Sequence, residues 1–460
     1  MPHPAHIMIV DDHKIREITS SVATSGGLRA ETIFAGVIIL VGTVAGLGGM
    51  LLALLLQAIQ HAAYGYDLGA VVSPESFLQG VTAASPIRRV IALTLCGAVA
   101  GIGWWAVYRF GRPLISVKVA VGKDEPGPPM PVLTTIVHAL LQIVTVALGS
   151  PLGREVAPRE IGAMLATWLS SCVGLSVVET RIAIACGAGA GLAAVYNVPL
   201  GGAVFVLEAL LETTAPRAAV AAIASSVIAS TIAWIGLGDV SQYQVPPLEI
   251  GRPLVAASIV AGPVIGLAAY GFRTIVQWTT TRATHGWKMV PWSLAVFLTI
   301  GIVATQFPQL PGNGKGPSQL GFDGDLSVSL ATSLLVLKIL AIAASLRVGA
   351  AGGVLTPSLT IGALLATVLC PVLALVFPGI SPAGFALVGA AAFLASSMNI
   401  PLTAIVLTLE FTRVSHDLCV PIFLAVAGST TMLRACTSLA LQRVQPSRLH
   451  ATHFVRERQF

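Results

Sequence analysis

Residues 191–208 read GLAAVYNVPLGGAVFVLE, and residues 393–410 read FLASSMNIPLTAIVLTLE. At an offset of 202 positions, eight of the 18 aligned residues are identical, among them one Asn, one Pro and one Glu. A second set of matches occurs at an offset of 200 positions: Gly153, Ile161, Gly162 and Ala163 recur as Gly353, Ile361, Gly362 and Ala363. Because both sets keep nearly the same spacing, the chain is predicted to consist of two repeated halves.

The composition places these halves in a membrane. The chain has 460 residues, of which 55% are hydrophobic and only 10% are charged, with a mean hydropathy of +0.85. Soluble proteins carry about a quarter charged residues. The chain is therefore predicted to be an all-α polytopic membrane protein, and its 46 glycines favour close packing of helices.

Several apolar runs are too short to cross a bilayer, since a full span needs ~20 residues. Prolines interrupt or begin four of them: Pro158, Pro199, Pro357 and Pro401. Broken helices are tolerated at membrane depth where they line a cavity or are buried in protein. The prediction is an architecture of many tilted and half-spanning helices, with the binding site at the interface of the repeats.

The polar segments divide the chain. The predicted division is a polar N-terminal tail (1–31), a first transmembrane half (32–238), a linker (239–251), a second transmembrane half (252–441) and a basic C-terminal tail (442–460). No cleavable signal peptide is expected, and the basic tail suits a cytoplasmic face near anionic lipid better than nucleic acid. The six cysteines lack metal-binding spacing, so neither a metal nor a cofactor is predicted.

Two of the interrupted helices begin with glycine-rich segments, GREVAP at 153–158 and GGVLTP at 352–357. A helix N-terminus carries free N–H groups and a partial positive charge, so it can bind an anion. A site for a cation would need carboxylates in both halves, and GGVLTP has none. The predicted anion-binding amides are those of Gly153, Arg154, Glu155, Val156, Gly353, Val354 and Leu355.

Four stretches resemble, in order, segments of the CLC family of chloride channels and chloride/proton antiporters. They are GREVAPREIG, GLAAVYNVPLGGAVFVLE, LKILAIAASLRVGAAGGVLTPSLTIGALL and AAFLASSMNIPLTAIVLTLEFT, and the resemblance covers roughly residues 87–440. It implies an inverted-repeat homodimer with one anion pathway per subunit. It also implies that Glu155 is the gating residue, a carboxylate that mimics the permeating anion.

The chain departs from the family pattern at several points. Val156 and Ala157 replace the Gly-Pro of the family's GREGP segment. The segment 110–122 lacks the GSGIP motif that supplies a serine, with Arg112 or Ser116 as loose counterparts. The family's central tyrosine is expected in the last helix, but no Tyr follows Tyr270. Ala209 stands where antiporters of the family carry an inner glutamate, so proton exchange by the usual route is not expected.

Three further residues are candidate modulators of pH response or potential. His138 aligns with a family lysine and is either a pH-sensitive element or a neutral core histidine. Lys338 either raises the electrostatic potential of the pathway or extends its charged end to the membrane–water interface. Glu208, which repeats as Glu410, is either an ion ligand or a structural cap. Asn197 and Asn399 are predicted to be helix caps.

The remaining charges of GREVAPREIG have two interpretations. Arg154 either adds positive potential to the anion entrance or forms an ion pair with Glu160 or Glu208. Arg159 and Glu160 are expected to form an ion pair with each other.

The predicted function is transport of an anion, with chloride as the default, through a pore that Glu155 gates and that is channel-like or weakly proton-coupled. The alternatives are a chloride/proton antiporter with a non-standard proton route, and a carrier of fluoride or nitrate. The expected partners are a small anion, protons, lipid and a second copy of the chain. Enzyme motifs such as HExxH and GxSxG are absent, so catalysis is not expected. The expected location is a bacterial inner membrane, with both termini cytoplasmic.

Overall fold

The computed structural model describes residues 12–67, 72–73, 75–248 and 250–456, and within these ranges it describes side chains for residues 29–440. The side chains of the predicted basic tail, and of most of the predicted polar N-terminal tail, lie outside the described residues. The described part contains no β-strand. The seventeen α-helices are α1 (Asp12–Tyr64), α2 (Phe77–Ala83), α3 (Pro86–Phe110), α4 (Val117–Val121), α5 (Val132–Ala147), α6 (Val156–Val173), α7 (Val177–Tyr196), α8 (Pro199–Phe205), α9 (Pro216–Leu237), α10 (Arg252–Thr281), α11 (Met289–Gln306), α12 (Lys315–Asp323), α13 (Val328–Arg347), α14 (Leu355–Ala374), α15 (Pro382–Met398), α16 (Pro401–Thr412) and α17 (Cys419–Arg456).

Nine helices of the described residues are long and apolar enough to cross a membrane. Four shorter apolar helices accompany them: Val132–Ala147, Pro199–Leu211, Pro382–Met398 and Pro401–Thr412. The prediction of an all-α, multi-pass membrane protein with many short helices is confirmed. Helix α1 begins at Asp12 and α17 ends at Arg456, so two of the predicted division's boundaries, at 31 and 441, fall inside helices.

Prolines lie in the first turns of the four broken helices. Pro199 and Pro401 are the first residues of α8 and α16, and Pro158 and Pro357 lie in the first turns of α6 and α14. Proline is tolerated there because the first-turn N–H groups have no partner within the helix. Asn197 and Asn399 cap the C-termini of α7 and α15 with left-handed backbone, φ of 55° and 57°. The prediction that both asparagines are caps is confirmed.

The two halves pack with the same contacts. A Cβ on Gly162 of α6 would lie 2.0 Å from the carbonyl oxygen of Gly187 of α7. The equivalent Cβ on Gly362 of α14 would lie 2.4 Å from the carbonyl oxygen of Gly389 of α15. Only glycine permits backbones to approach so closely, as is common for membrane helices. The repeated sequence therefore produces a repeated helix pair.

The equivalent helices α8 and α16 differ in one turn. Helix α8 continues into a π-helical turn at Val206–Leu211, whereas α16 is α-helical throughout. The π-helical turn contains Glu208 and Ala209. Such single turns insert one residue into a helix and occur often at functional sites.

Candidate anion pathway

The starts of α6 and α14 meet at the centre of the molecule. The Gly153 N–H donates to the Gly353 carbonyl at 2.7 Å, and the Gly353 N–H donates to the Gly153 carbonyl at 2.9 Å. The contact is reciprocal because the two residues are equivalent in the repeats. It corrects the prediction for these two glycines, since their amides bond each other and are not available to an anion.

Four of the other predicted amides remain free in the described part of the chain: those of Arg154, Glu155, Val156 and Val354. The Leu355 amide is the seventh, and it is occupied by a carboxylate. The structure therefore leaves three free backbone donors at the start of α6 and one, Val354, at the start of α14, as expected for unpaired first-turn N–H groups.

The Glu155 side chain lies on the start of α14 and is 1% exposed. Its Oε1 accepts the Leu355 N–H at 2.7 Å, and its Oε2 accepts the Tyr196 hydroxyl at 3.2 Å. A Cβ on Gly353 would lie 1.9 Å from the same carboxylate, so glycine makes room for it. A carboxylate of one half thus occupies the helix N-terminus of the other half, where an anion is favoured.

Tyr196, the last residue of α7, is a site residue that the sequence reasoning missed. Its hydroxyl contacts Thr356 Oγ1 at 2.8 Å in addition to Glu155. The family's central tyrosine was expected in the last helix, where the chain has none after Tyr270. The available signal was the repeat itself, in which Tyr196 is the one hydroxyl-bearing aromatic and is matched by Met398.

The charges around Glu155 go to separate partners, which corrects both predicted ion pairs. Arg154 stacks on the Tyr196 ring at 5.1 Å and donates to Gln242 Oε1 at 3.4 Å. Arg159 lies over the Phe205 ring at 5.1 Å. Glu160 instead accepts from Gln142 at 3.0 Å and contacts His138 Nδ1 at 2.9 Å. Consecutive residues point about 100° apart on a helix, so Arg159 and Glu160 face different neighbours.

A polar cavity of about 540 Å³, here called the vestibule, is lined by Arg154, Tyr196, Thr356 and Lys315 and by glutamine and asparagine side chains. Glu75 and Asp323 also line it. Lys315 is exposed to this cavity, and the protein atoms around it, and then the positive charge of Arg154, lower its pKa to about 8. The vestibule therefore leads towards Glu155 past two basic side chains.

The three candidate modulators have defined contacts. His138 is buried between Glu160 and Gln142. Lys338 is buried and donates to the carbonyls of Leu310 and Gly312, at 2.8 and 2.5 Å. Gly312 in turn donates to the carbonyl of Gly149, so Lys338 supports the loop beside the start of α6. Within the described residues, neither side chain makes a hydrogen bond to Glu155.

Glu208 is a helix cap in this structure. Its carboxylate accepts the N–H groups of Leu402 and Thr403 at 2.9 and 2.7 Å. Glu410 does the same for Leu200 and Gly201, at 3.0 and 2.6 Å. Of the loose counterparts of the missing serine, Ser116 caps α4 and the Arg112 N–H donates to Thr134 Oγ1.

Known proteins are similar to this chain in sequence. The sequence profile of a family described as voltage gated chloride channel matches residues 96–434. The H(+)/Cl(-) exchange transporter ClcA of Salmonella arizonae is 28% identical over 303 residues, which are 63% of this chain and 63% of that protein. The matched region is therefore less than two thirds of the length of this curated relative.

Solved structures share the fold. The crystal structure of a slow cyanobacterial Cl−/H+ antiporter has a TM-score of 0.75 at 19% identity, covering 90% of this chain and 98% of the other. A CLC-type fluoride/proton antiporter has a TM-score of 0.61 at 20% identity, covering 87% of this chain and 95% of the other.

The fold and the site together define an integral, multi-pass membrane protein of two repeats, in which a carboxylate lies on a broken helix between them. The profile match covers most of the chain. The chain belongs to the voltage gated chloride channel family, as the resemblance of its four sequence stretches implied. The named relatives are transporters and exchangers, in keeping with the expectation that the chain is not an enzyme.

Proposed function

We propose that this chain transports a small anion, with chloride as the default, along a pathway that Glu155 closes. The vestibule admits the anion past Lys315 and Arg154, and the free amides at the starts of α6 and α14 bind it. Backbone N–H groups hold an anion without a full charge, so the ion can also leave, as conduction requires.

The observation that carries this proposal is the 2.7 Å hydrogen bond from the Leu355 N–H to Glu155 Oε1. The carboxylate fills a buried site that suits an anion. It belongs to the start of α6 and not to α14, so a competing anion can displace it from α14. Protonation removes its charge and weakens its bond to the helix N-terminus. A competing anion then takes its place on the Leu355 amide.

Coupling to protons is proposed to be weak or absent. The apolar side chain of Ala209 cannot bind a proton, and the adjacent Glu208 carboxylate is held by the start of α16. Glu212 lies at the surface beside Lys118, 67% exposed. The second candidate is an antiporter, which the names of the relatives favour. Its proton route would use the buried histidine–glutamate pair of His138 and Glu160.

We further propose a homodimer in a bacterial inner membrane with cytoplasmic termini. The short helices α8 and α16 cap each other and leave Leu200 and Leu402 exposed, at 53% and 61%. Outward apolar side chains on mutually capped helices suit lipid or a second copy. Native mass spectrometry from detergent measures the assembly, and a single-copy mass contradicts the dimer.

Reconstitution into liposomes tests the proposed function. Vesicles loaded with KCl are diluted into a chloride-free buffer, valinomycin is added, and external chloride and pH are recorded together. Chloride efflux without proton movement in a fixed ratio is the expected result. Efflux coupled to stoichiometric proton uptake supports the antiporter instead, and no flux of any halide or nitrate contradicts anion transport.

A further inference from the structure

Arg159 is a cation that no carboxylate contacts directly within the described residues. It lies one helical turn after Glu155 on α6, and its guanidinium sits 5.1 Å from the centre of the Phe205 ring. Within the described residues, none of its N–H groups makes a hydrogen bond or an ion pair. The buried Nε is among the unpartnered polar atoms. Because a charge at membrane depth is costly, such a group is expected to have a partner.

Each carboxylate close to Arg159 is engaged by another group. Glu155 accepts bonds from Leu355 and Tyr196, and Glu160 accepts a bond from Gln142 and contacts His138. Glu208, three residues after Phe205, caps α16. Glu155, Glu160 and Tyr196 are near enough to Arg159 to interact electrostatically, yet none of them bonds to it. The chain therefore supplies no bonded anion for this guanidinium.

The guanidinium is also accessible to an ion. The Arg159 side chain is half-buried. Its Nε is buried, whereas its terminal nitrogens, which also lack a partner in the described residues, keep some exposed surface. Arg154 lines the vestibule and Arg159 does not. In the sequence Arg154 precedes Glu155 and Arg159 follows it, and each is stacked on an aromatic ring.

We propose that Arg159 forms a second anion-binding site one helical turn beyond Glu155, and that its ligand is the small inorganic anion that the chain carries. The inference rests on the proposed function for the identity of that ion. The Phe205 ring holds the planar guanidinium in place, and the free N–H groups offer charge-assisted bonds. An anion leaving the Leu355 amide then has a next position, and a pathway with several sites releases ions faster.

Binding of chloride to the detergent-solubilised protein tests this site apart from transport. With Glu155 unmodified, its carboxylate occupies the Leu355 amide, and the difference in chloride affinity between the unmodified protein and an Arg159 variant, measured by isothermal titration calorimetry, reports on Arg159. We expect Arg159→Gln to weaken chloride binding by about tenfold or more, the loss of one charge-assisted bond. Arg159→Lys keeps the charge and is expected to retain most of the affinity. Equal chloride affinity in Arg159→Gln and the unmodified protein contradicts the proposal.

Arg282→Gln is the matched control, because Arg282 stacks on Trp278 at 5.1 Å but lies exposed after α10, away from the site. It is expected to leave chloride binding unchanged. If Arg159→Gln fails to fold, bromide-soaked crystals of the unmodified protein give the answer. An anomalous peak within hydrogen-bond distance of the guanidinium supports the site, and occupied bromide positions elsewhere with none at Arg159 contradict it.

Flux separates this inference from the proposed function. If the unmodified protein carries chloride and Arg159→Gln carries it with the same half-saturating concentration, the site is wrong and the function stands. If the unmodified protein carries no anion but chloride binding depends on Arg159, the site stands and the function is wrong.

Discussion

At the scale of single residues, the stretch GREVAPREIG places four charges within seven positions, and the fold sends each to a different neighbour. Glu155 crosses to the other half, Arg154 stacks on Tyr196, Arg159 lies on Phe205 and Glu160 contacts His138. Neither arginine pairs with Glu155. The Glu155 carboxylate is therefore held by a backbone amide and a hydroxyl, and neither is a charged group.

The Tyr196 hydroxyl is predicted to hold Glu155 in its charged, closed position. Tyr196→Phe removes the 3.2 Å bond to the carboxylate and leaves the ring under Arg154. Because a hydrogen bond to a charged group is worth about 1.5–3 kcal/mol, the midpoint of the flux–pH curve should move up by about one unit. Chloride efflux measured across a pH series gives this midpoint.

Tyr270→Phe is the control, since Tyr270 lies on α10 and its hydroxyl makes no hydrogen bond within the described residues. A flux–pH midpoint that is the same in Tyr196→Phe, Tyr270→Phe and the unmodified protein would show that the Tyr196 hydroxyl does not hold the gate.

At the scale of helices, the two halves stabilise each other by exchanging caps. Glu208, in the π-helical turn that follows α8, binds the first amides of α16, and Glu410 at the end of α16 binds the first amides of α8. Each carboxylate lies where the partial positive charge of a helix favours it. The symmetry of these caps accounts for a glutamate at this position in both repeats.

Glu208→Ala is predicted to destabilise the protein while leaving its pH response intact. It removes the bonds from the Leu402 amide and from the amide and hydroxyl of Thr403. The free energy of unfolding should fall by about 2 kcal/mol, as for the loss of a charged helix cap. Thermal unfolding in detergent measures the loss, and chloride flux across a pH series measures the response.

Glu212→Ala is the matched control, because its surface pair with Lys118 should contribute less than about 1 kcal/mol. Loss of the pH response in Glu208→Ala, with the stability unchanged, would instead make Glu208 a proton ligand.

Sequence reasoning reached the parts of this structure that local rules govern. Prolines marked the starts of α6, α8, α14 and α16, and the repeat marked their partners. It could not anticipate that Gly153 and Gly353 bond each other, because that depends on how the halves dock. Tyr196 was missed for the same reason, since it reaches Glu155 and Thr356 across 41 and 160 residues.

At the scale of the whole molecule, basic side chains line the vestibule next to Glu155. Lys315 and Arg154 lie there together with the acidic Glu75 and Asp323, and Tyr196, which also lines it, bonds to Glu155. Buried Lys338 holds the loop that carries residues 310–312. Basic groups along a narrow polar route concentrate anions and exclude cations.

Lys315 is predicted to make anion entry depend on pH in the alkaline range. The side chain is exposed to the vestibule, and the surrounding protein atoms, and then the charge of Arg154, lower its pKa to about 8, so it is charged below that pH and neutral above it. Chloride entry from the vestibule side should therefore fall as pH rises from about 7 to about 9, because the local potential drops. Flux measured at the two pH values gives the ratio, and Lys315→Gln should be lower at the first and nearly flat between them.

Lys118→Gln is the control, since Lys118 is a surface lysine 72% exposed. If Lys315→Gln shows the same alkaline decline as the unmodified protein, the decline belongs to another group and Lys315 does not steer the ion.

The central claim is that the Glu155 carboxylate closes the pathway by occupying the Leu355 amide. The most direct measurement is chloride efflux from liposomes at a series of pH values for Glu155→Gln, with Glu125→Gln as the exposed control. The unmodified protein and the control should carry more chloride as pH falls, because protonation releases the carboxylate. Glu155→Gln should be constant to within roughly twofold over about pH 4.5 to 7.5, because the glutamine side chain has no carboxyl group to protonate. A Glu155→Gln protein that retains the unmodified pH dependence would contradict the claim.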